Sequence, residues 1–174
     1  MITLKRGDIL EFKAGKLASI SGLLAALLKR FNPEWTAYGW HLSVVFCRLY
    51  NDYLIIDAAP AGVRLVLLSE MKAGYKMHRL LPCEPRFYTM LNAVKKLNGA
   101  RYDYIAYIWT ALYIITGRRL PRIANKRFTC WELVYQIYGL IGYPLALDYQ
   151  YPIIADFEQL SNKYGACIGT VTKD

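Results

Sequence analysis

The sequence predicts an α+β domain, an antiparallel β-sheet or half-barrel packed against helices. Three observations carry this. Three runs rich in β-formers, His41–Cys47, Tyr53–Ala58 and Val63–Leu68, are separated by Asn51-Asp52 and Pro60-Ala61-Gly62, the punctuation of successive hairpins. Segments with helical period follow, at about residues 86–97, 102–116 and 130–141. The last of these opens on Thr129 with Glu132 three residues on, the pairing of a capping box.

A chain of 174 residues fits one domain over residues 1–174 and can bury a proper core. With 55% hydrophobic and 20% charged residues, intrinsic disorder is excluded as the dominant state. The formal charge of +9 implies attraction to something anionic: a nucleic acid, a membrane surface, an acidic polymer or an acidic partner. Part of the excess is local, in Arg118, Arg119, Arg122, Lys126 and Arg127. These residues form either a solvated loop or a positive field ahead of Cys130.

Taken in order, Ile2–Phe12 holds a strand-like pattern broken by Gly7-Asp8. That pair suits a tight turn whose carboxylate caps local N–H groups. Lys16–Phe31 reads as an amphipathic helix, with Leu17, Ile20, Leu23, Leu24, Leu27, Leu28 and Phe31 near one stripe. Asn32-Pro33 ends it. An aromatic loop with Trp35 and Tyr38 leads into the hairpins, and Lys76–Leu81 is the fourth strand expected.

Glu84-Pro85 opens the helix whose face includes Phe87, Met90, Leu91, Val94 and Leu97, and Asn98-Gly99 closes it. The segment 102–116 is apolar nearly all round, which predicts deep burial. In the last helix Leu133, Val134, Ile137, Leu140 and Ile141 share a face, and Gly142 with Pro144 stops the run. A short helix is expected over 154–160. The apolar runs Leu17–Leu28 and Ile105–Ile115 fall short of the ~20 residues that span a bilayer. Both read as core helices, with a membrane surface as the alternative for the first. The amino-terminal residues lack a signal peptide's apolar core, so a cytoplasmic location is expected.

Cys47, Cys83, Cys130 and Cys167 are far apart in sequence. They form no C-x-x-C pair and no Cys/His spacing that suggests zinc. A reducing compartment is the simpler assumption, and neither a metal nor a cofactor is expected. If Thr129 is the N-cap, Cys130 is the first helical residue. Its thiol then sits beside unpaired N–H groups and the positive end of the helix dipole, which favour the thiolate.

Two histidines are present. His78, flanked by Lys76 and Arg79, reads as a surface or strand residue. His41 begins a hydrophobic strand, where its ring can sit at a sheet edge and take the Cys130 proton. Asp57, on the next strand, is the candidate to orient that ring. A register pairing 41 with 57 puts both on one face, whereas a two-residue Asn51-Asp52 turn would put them on opposite faces. The reading adopted is the first.

The ordered set Gly7-Asp8-Ile9-Leu10, Gly39-Trp40-His41-Leu42-Ser43-Val44-Val45, Ile55-Ile56-Asp57-Ala58, Gly62-Val63, Tyr102-Asp103 and Cys130-Trp131-Glu132-Leu133-Val134 resembles the circularly permuted papain-like cysteine hydrolases. Within these it is similar to the YiiX-like branch of the NlpC cell-wall peptidase superfamily. The resemblance covers Gly7 to about Gly142, with His ahead of Cys. It implies a permuted papain-like fold with the nucleophile Cys130 at a helix N-terminus, His41 as base and then acid, and Asp57 as orienting group. Trp131 and Tyr38 are the expected substrate contacts. Two departures stand out: Asp57 replaces a Glu found in many relatives, and Trp131 replaces a small residue after the nucleophile.

The resemblance also implies a hydrolase, an amidase or peptidase, with cell-wall peptides among the substrates of relatives. The partner expected is a peptide or acyl-containing substrate, and an acidic one suits the charge. A second reading is a lipid-directed thiol acyltransferase or thioesterase in peripheral contact with a membrane. A third is a catalytically inactive basic binding module. Nucleic acid is disfavoured as a partner, because no nucleic-acid-binding motif is present.

Overall fold

A computed structural model describes residues 3–13, 30, 39–72, 74–118, 126–145 and 167–171. The strands are β1 (Ile9–Lys13), β2 (Gly39–Leu49), β3 (Asp52–Ala59), β4 (Gly62–Leu67) and β5 (Tyr75–His78). The two-residue strands β6 (Arg101–Tyr102) and β7 (Arg127–Phe128) and a last strand β8 (Cys167–Val171) complete them. The helices are α1 (Phe87–Leu97), α2 (Ile105–Thr116) and α3 (Cys130–Leu140). The main sheet runs β4-β3-β2-β1-β5-β8, and each neighbouring pair is antiparallel. The architecture is therefore α+β, as the hairpin punctuation predicts. The expected helices at Lys16–Phe31 and 154–160 lie outside the described residues, apart from Arg30.

The register of the β2–β3 hairpin corrects the expected 41–57 pairing. Leu49 pairs with Asp52, so the turn is the two-residue Tyr50-Asn51, with Tyr50 at a φ of 52°. Continued regularly, that turn would put His41 and Asp57 on opposite faces. The pairing shifts between Val45 and Cys47, leaving Phe46 as an extra residue, and then continues as Val45–Ile55, Val44–Ile56 and Ser43–Asp57. One bulged residue reverses the parity. Asp57 thus lies opposite Ser43, and His41, two residues along, shares their face.

The sheet buries both faces. Ile9, Leu42, Val44, Ile56 and Ala58 pack with Met90, Val94 and Leu97 of α1 and Leu133, Val134 and Ile137 of α3. On the other side Leu10, Phe12, Val45, Ile55, Tyr75 and Met77 form a second cluster. The alternation of Ile9 with Leu10 and Phe12, and of Val44 with Val45, is the two-residue period of a sheet covered twice. Buried Tyr138 of α3 donates to the Gly7 carbonyl at 2.6 Å. Gly7-Asp8 forms the expected turn, with the Lys5 N–H bonded to Asp8 Oδ2 at 2.7 Å.

The turn between β3 and β4 lies against the end of α1. The Val63 N–H bonds the Ala100 carbonyl at 2.8 Å, and the Gly99 N–H bonds the Val63 carbonyl at 2.8 Å. Gly62 has φ +105°, and a Cβ there would lie 2.7 Å from the Ala100 oxygen. Gly62→Ala should therefore destabilise the fold by about 1–3 kcal/mol, read as a lower urea midpoint. An unchanged midpoint would mean that this approach is not close.

The burial expected of segment 102–116 is corrected. Ile105, Ile108, Leu112 and Ile115 are exposed, Ile108 at 60%. Only Ala106 and Thr110 are buried among the described side chains of α2. All-round apolarity marks a helix without a polar face. It does not say which neighbour covers each side.

Candidate active site

The amino terminus of α3 is fixed by local chemistry. Thr129 is the N-cap, and its hydroxyl accepts from the Glu132 N–H at 3.4 Å. Glu132 Oε2 accepts in return from the Thr129 N–H and hydroxyl, each at 2.9 Å. This is the capping box read from the sequence, and Cys130 is the first residue of α3. Just upstream, β7 pairs in parallel with β6, setting Arg127 beside Arg101 and Phe128 beside Tyr102. The Asp103 N–H bonds the Phe128 carbonyl at 3.3 Å. These two short strands bring the starts of α2 and α3 together. Asp103 Oδ1 accepts from the Ile105 and Ala106 N–H groups at 3.0 and 3.3 Å.

His41 stands at a second irregularity. Phe12 pairs with His41 but Lys13 pairs with Gly39, so Trp40 is an extra residue. By strict alternation the His41 ring belongs to the Phe12 face, and the two ring centroids are 6.0 Å apart. Cys130 belongs to the opposite cluster, with Leu42 and Val44. A bulge bends its strand and redirects neighbouring side chains. The imidazole beside this bulge bonds Asp57 Oδ1 through Nε2 and also hydrogen-bonds the Cys130 side chain.

Asp57 is buried at 1% exposure, yet well supplied with donors. Beyond His41, the Ser43 hydroxyl donates to Oδ1 at 2.8 Å, and Arg64 Nε lies 3.9 Å from Oδ2. Burial opposes the carboxylate's charge, but the His41 hydrogen bond and charge, then Ser43 and Arg64, outweigh it and hold its pKa below the usual value. For His41 burial disfavours the cation. The hydrogen bonds to Asp57 and Cys130 and the attraction of both groups prevail, and its pKa is pushed up to about 10.

These two shifts fix a pH dependence of stability. A raised histidine pKa contributes fully below its unfolded value of 6.5 and is lost as pH rises through about 10. A lowered carboxylate pKa contributes above its unfolded value of 3.8 and is lost as pH falls through the folded one. Urea midpoints should therefore decline on the alkaline side from about pH 6.5 and on the acid side below about pH 4. Cys130→Ala should shrink the alkaline decline. An unchanged alkaline limb in that variant would contradict the pairing.

Two tyrosines border the thiol. The hydroxyls of Tyr102 and Tyr107 are hydrogen-bonded to each other. Burial first, and then the nearby Cys130, raise the pKa of both, so each is a neutral phenol at physiological pH. Trp131, expected as a substrate contact, is buried at 2% exposure and packs edge-on against Tyr107 with centroids 5.8 Å apart. Its indole packs in the core beside Tyr107, buried as Cys130 itself is. Tyr38, the other expected contact, lies outside the described residues. Cys130 is fully buried, while the His41 side chain is 27% exposed. The imidazole is therefore the member of the cluster that faces outward.

The surface position considered for His78 is corrected. It is a buried strand residue, with Nε2 2.8 Å from Oε2 of buried Glu11. Ser43 and Tyr102 stand in the motif set that carries the resemblance, without a role assigned there, and Arg64 and Tyr107 have no place in it. Arg64 lies opposite Asp57, which a tight turn at Pro60-Ala61 implies. Ser43 follows from the two-residue strand period. Nothing in spacing announces the Tyr102–Tyr107 pair. Cys47, Cys83 and Cys130 are free thiols. Among the described residues no group of three or more His, Cys, Asp or Glu side chains is arranged to hold a metal ion, and no helix is long and apolar enough to cross a membrane.

No protein-family model matches the chain, and a comparison with curated proteins found no match.

Proposed function

We propose that the protein is a cysteine-dependent hydrolase of the amidase or peptidase type, with the permuted papain-like arrangement that the sequence resembles. The observation that carries the reading is the hydrogen-bonded chain Cys130–His41–Asp57 at the capped start of α3. In this reading the thiol proton passes to the His41 ring, while Asp57 orients that ring and stabilises the imidazolium. The sulfur attacks a carbonyl carbon, and the N–H of Cys130 at the helix start helps to stabilise the oxyanion. The C–N bond breaks as the leaving amine takes the proton from His41. Water then gives a proton to His41 and attacks the thioester, releasing the acid and restoring the thiol.

Incubation with a panel of activated N-acyl amino-acid esters and peptide amides, followed by intact mass analysis, tests this. An acyl adduct mapping to the peptide that contains Cys130, and absent from Cys130→Ala, is the expected result. Acylation of Cys47 or Cys83 with none at Cys130 would overturn it.

A further inference from the structure

α2 carries an apolar ridge that nothing in the chemistry above uses. Ile105, Ile108, Leu112 and Ile115 are all exposed, with Ile115 at 55%. At 100° per residue they fall within about 80° of arc, on the side opposite buried Ala106 and Thr110. The ridge is therefore not a stray exposed residue. It is a continuous stripe running the length of the helix on its outward side.

What lies at the end of this stripe decides what it fits. Gly117 closes α2 in the left-handed conformation, φ 67°, and exposed Arg118 follows directly. The sequence continues with Arg119 and Arg122, and Lys126 and Arg127 precede α3, in a chain of net charge +9. A partner with a purely apolar face would have no use for these cations. An anionic lipid surface has both halves of the complement, acyl chains for the ridge and headgroup charge for the arginines. At 12 residues, α2 is about 18 Å long, too short to cross a bilayer and suited to lying in its interface. Exposed Tyr104 and half-buried Trp109 are the aromatic types enriched at that depth.

We infer that α2 is a membrane-docking element, and that its Ile105–Ile115 ridge, with exposed Arg118 at its end, binds the surface of an anionic bilayer. The inference does not depend on the thiol chemistry and survives its failure. Docking in this way sets the bilayer against the helix that also carries Tyr107, the neighbour of Trp131.

Flotation of the full chain with vesicles of phosphatidylcholine, alone or with about 30% phosphatidylglycerol, tests it. Binding to the anionic vesicles should exceed binding to the neutral ones by about tenfold or more, and should weaken with salt. Ile108→Glu and Ile115→Glu, each at an exposed site and each checked for folding by circular dichroism, should reduce it by about tenfold. Arg118→Glu should lower it with less effect on whatever neutral-vesicle binding remains. Equal binding to both vesicle types, or full binding by the folded Ile108→Glu chain, would overturn the inference. So would concentration-dependent dimers abolished by Ile108→Glu without any vesicle binding, because the ridge would then be a contact between two copies of this chain.

Discussion

His41→Ala is expected to slow alkylation of Cys130 by iodoacetamide at about pH 7 by at least ~10²-fold, the range of a lost general base. The expectation rests on the hydrogen bond between the two side chains and on an imidazole whose pKa is pushed up to about 10. Mass mapping should show the loss at Cys130 alone, because exposed Cys83 and half-buried Cys47 make no use of His41. They serve as internal references for reagent and pH. The folded wild type and variant must be compared at matched stability, since a more open variant would expose the buried sulfur and raise its rate. A variant as reactive as wild type at Cys130 would remove the thiol–imidazole pair from the site.

Asp57→Ala should cost about 3–5 kcal/mol of folding stability near neutral pH, the penalty for leaving one partner of a buried charged pair uncompensated. The carboxylate is 1% exposed and receives His41, Ser43 and, at longer range, Arg64. Its removal leaves the imidazolium without its counter-charge, and the His41 pKa should fall back toward the ordinary imidazole range. Asp57→Asn keeps the shape and one acceptor oxygen, so it should cost less than the alanine variant while still lowering the His41 pKa. Urea denaturation of the three proteins at about pH 7 checks the order. Equal stability of Asp57→Ala and wild type would show that the carboxylate is solvated rather than paired.

The parts of this site that depend on short sequence spacing were readable, and the parts that depend on irregularity were not. Thr129 and Glu132 announce the helix start because a capping box needs both side chains three residues apart. The hairpins announce themselves through β-formers and turn residues. The meeting of His41 with Asp57 rests instead on the extra residue at Phe46, which undoes the parity set by the Tyr50-Asn51 turn. A bulge of this kind has no residue signature, so parity counting led to two incompatible registers. The same holds at Trp40, where the strand is redirected beside His41.

Burial was the other blind spot. His78 between cations looked superficial, but a strand alternates sides, and Lys76 and His78 share a face on which Glu11 supplies the partner. In α2, apolarity on every side predicts cover on every side, whereas Ile105, Ile108, Leu112 and Ile115 are exposed. Hydrophobic composition measures what a helix would gain from burial, not whether the rest of the chain provides it. Trp131 fell the other way: an aromatic next to a candidate nucleophile suggested a pocket wall, and Tyr107 occupies it as a packing partner.

The presence of two histidines in the chain makes the decisive measurement simple. Nitrogen-15 spectra of the histidine rings at about pH 8 distinguish an imidazolium, with both nitrogens protonated, from a neutral ring. His41, assigned by its loss in His41→Ala, should be an imidazolium in the wild type at that pH. It should titrate at lower pH in Cys130→Ala and lower still in Asp57→Ala. A neutral His41 ring at about pH 8, with a titration near 6.5 that neither variant moves, would contradict the joining of Cys130, His41 and Asp57 into one cluster.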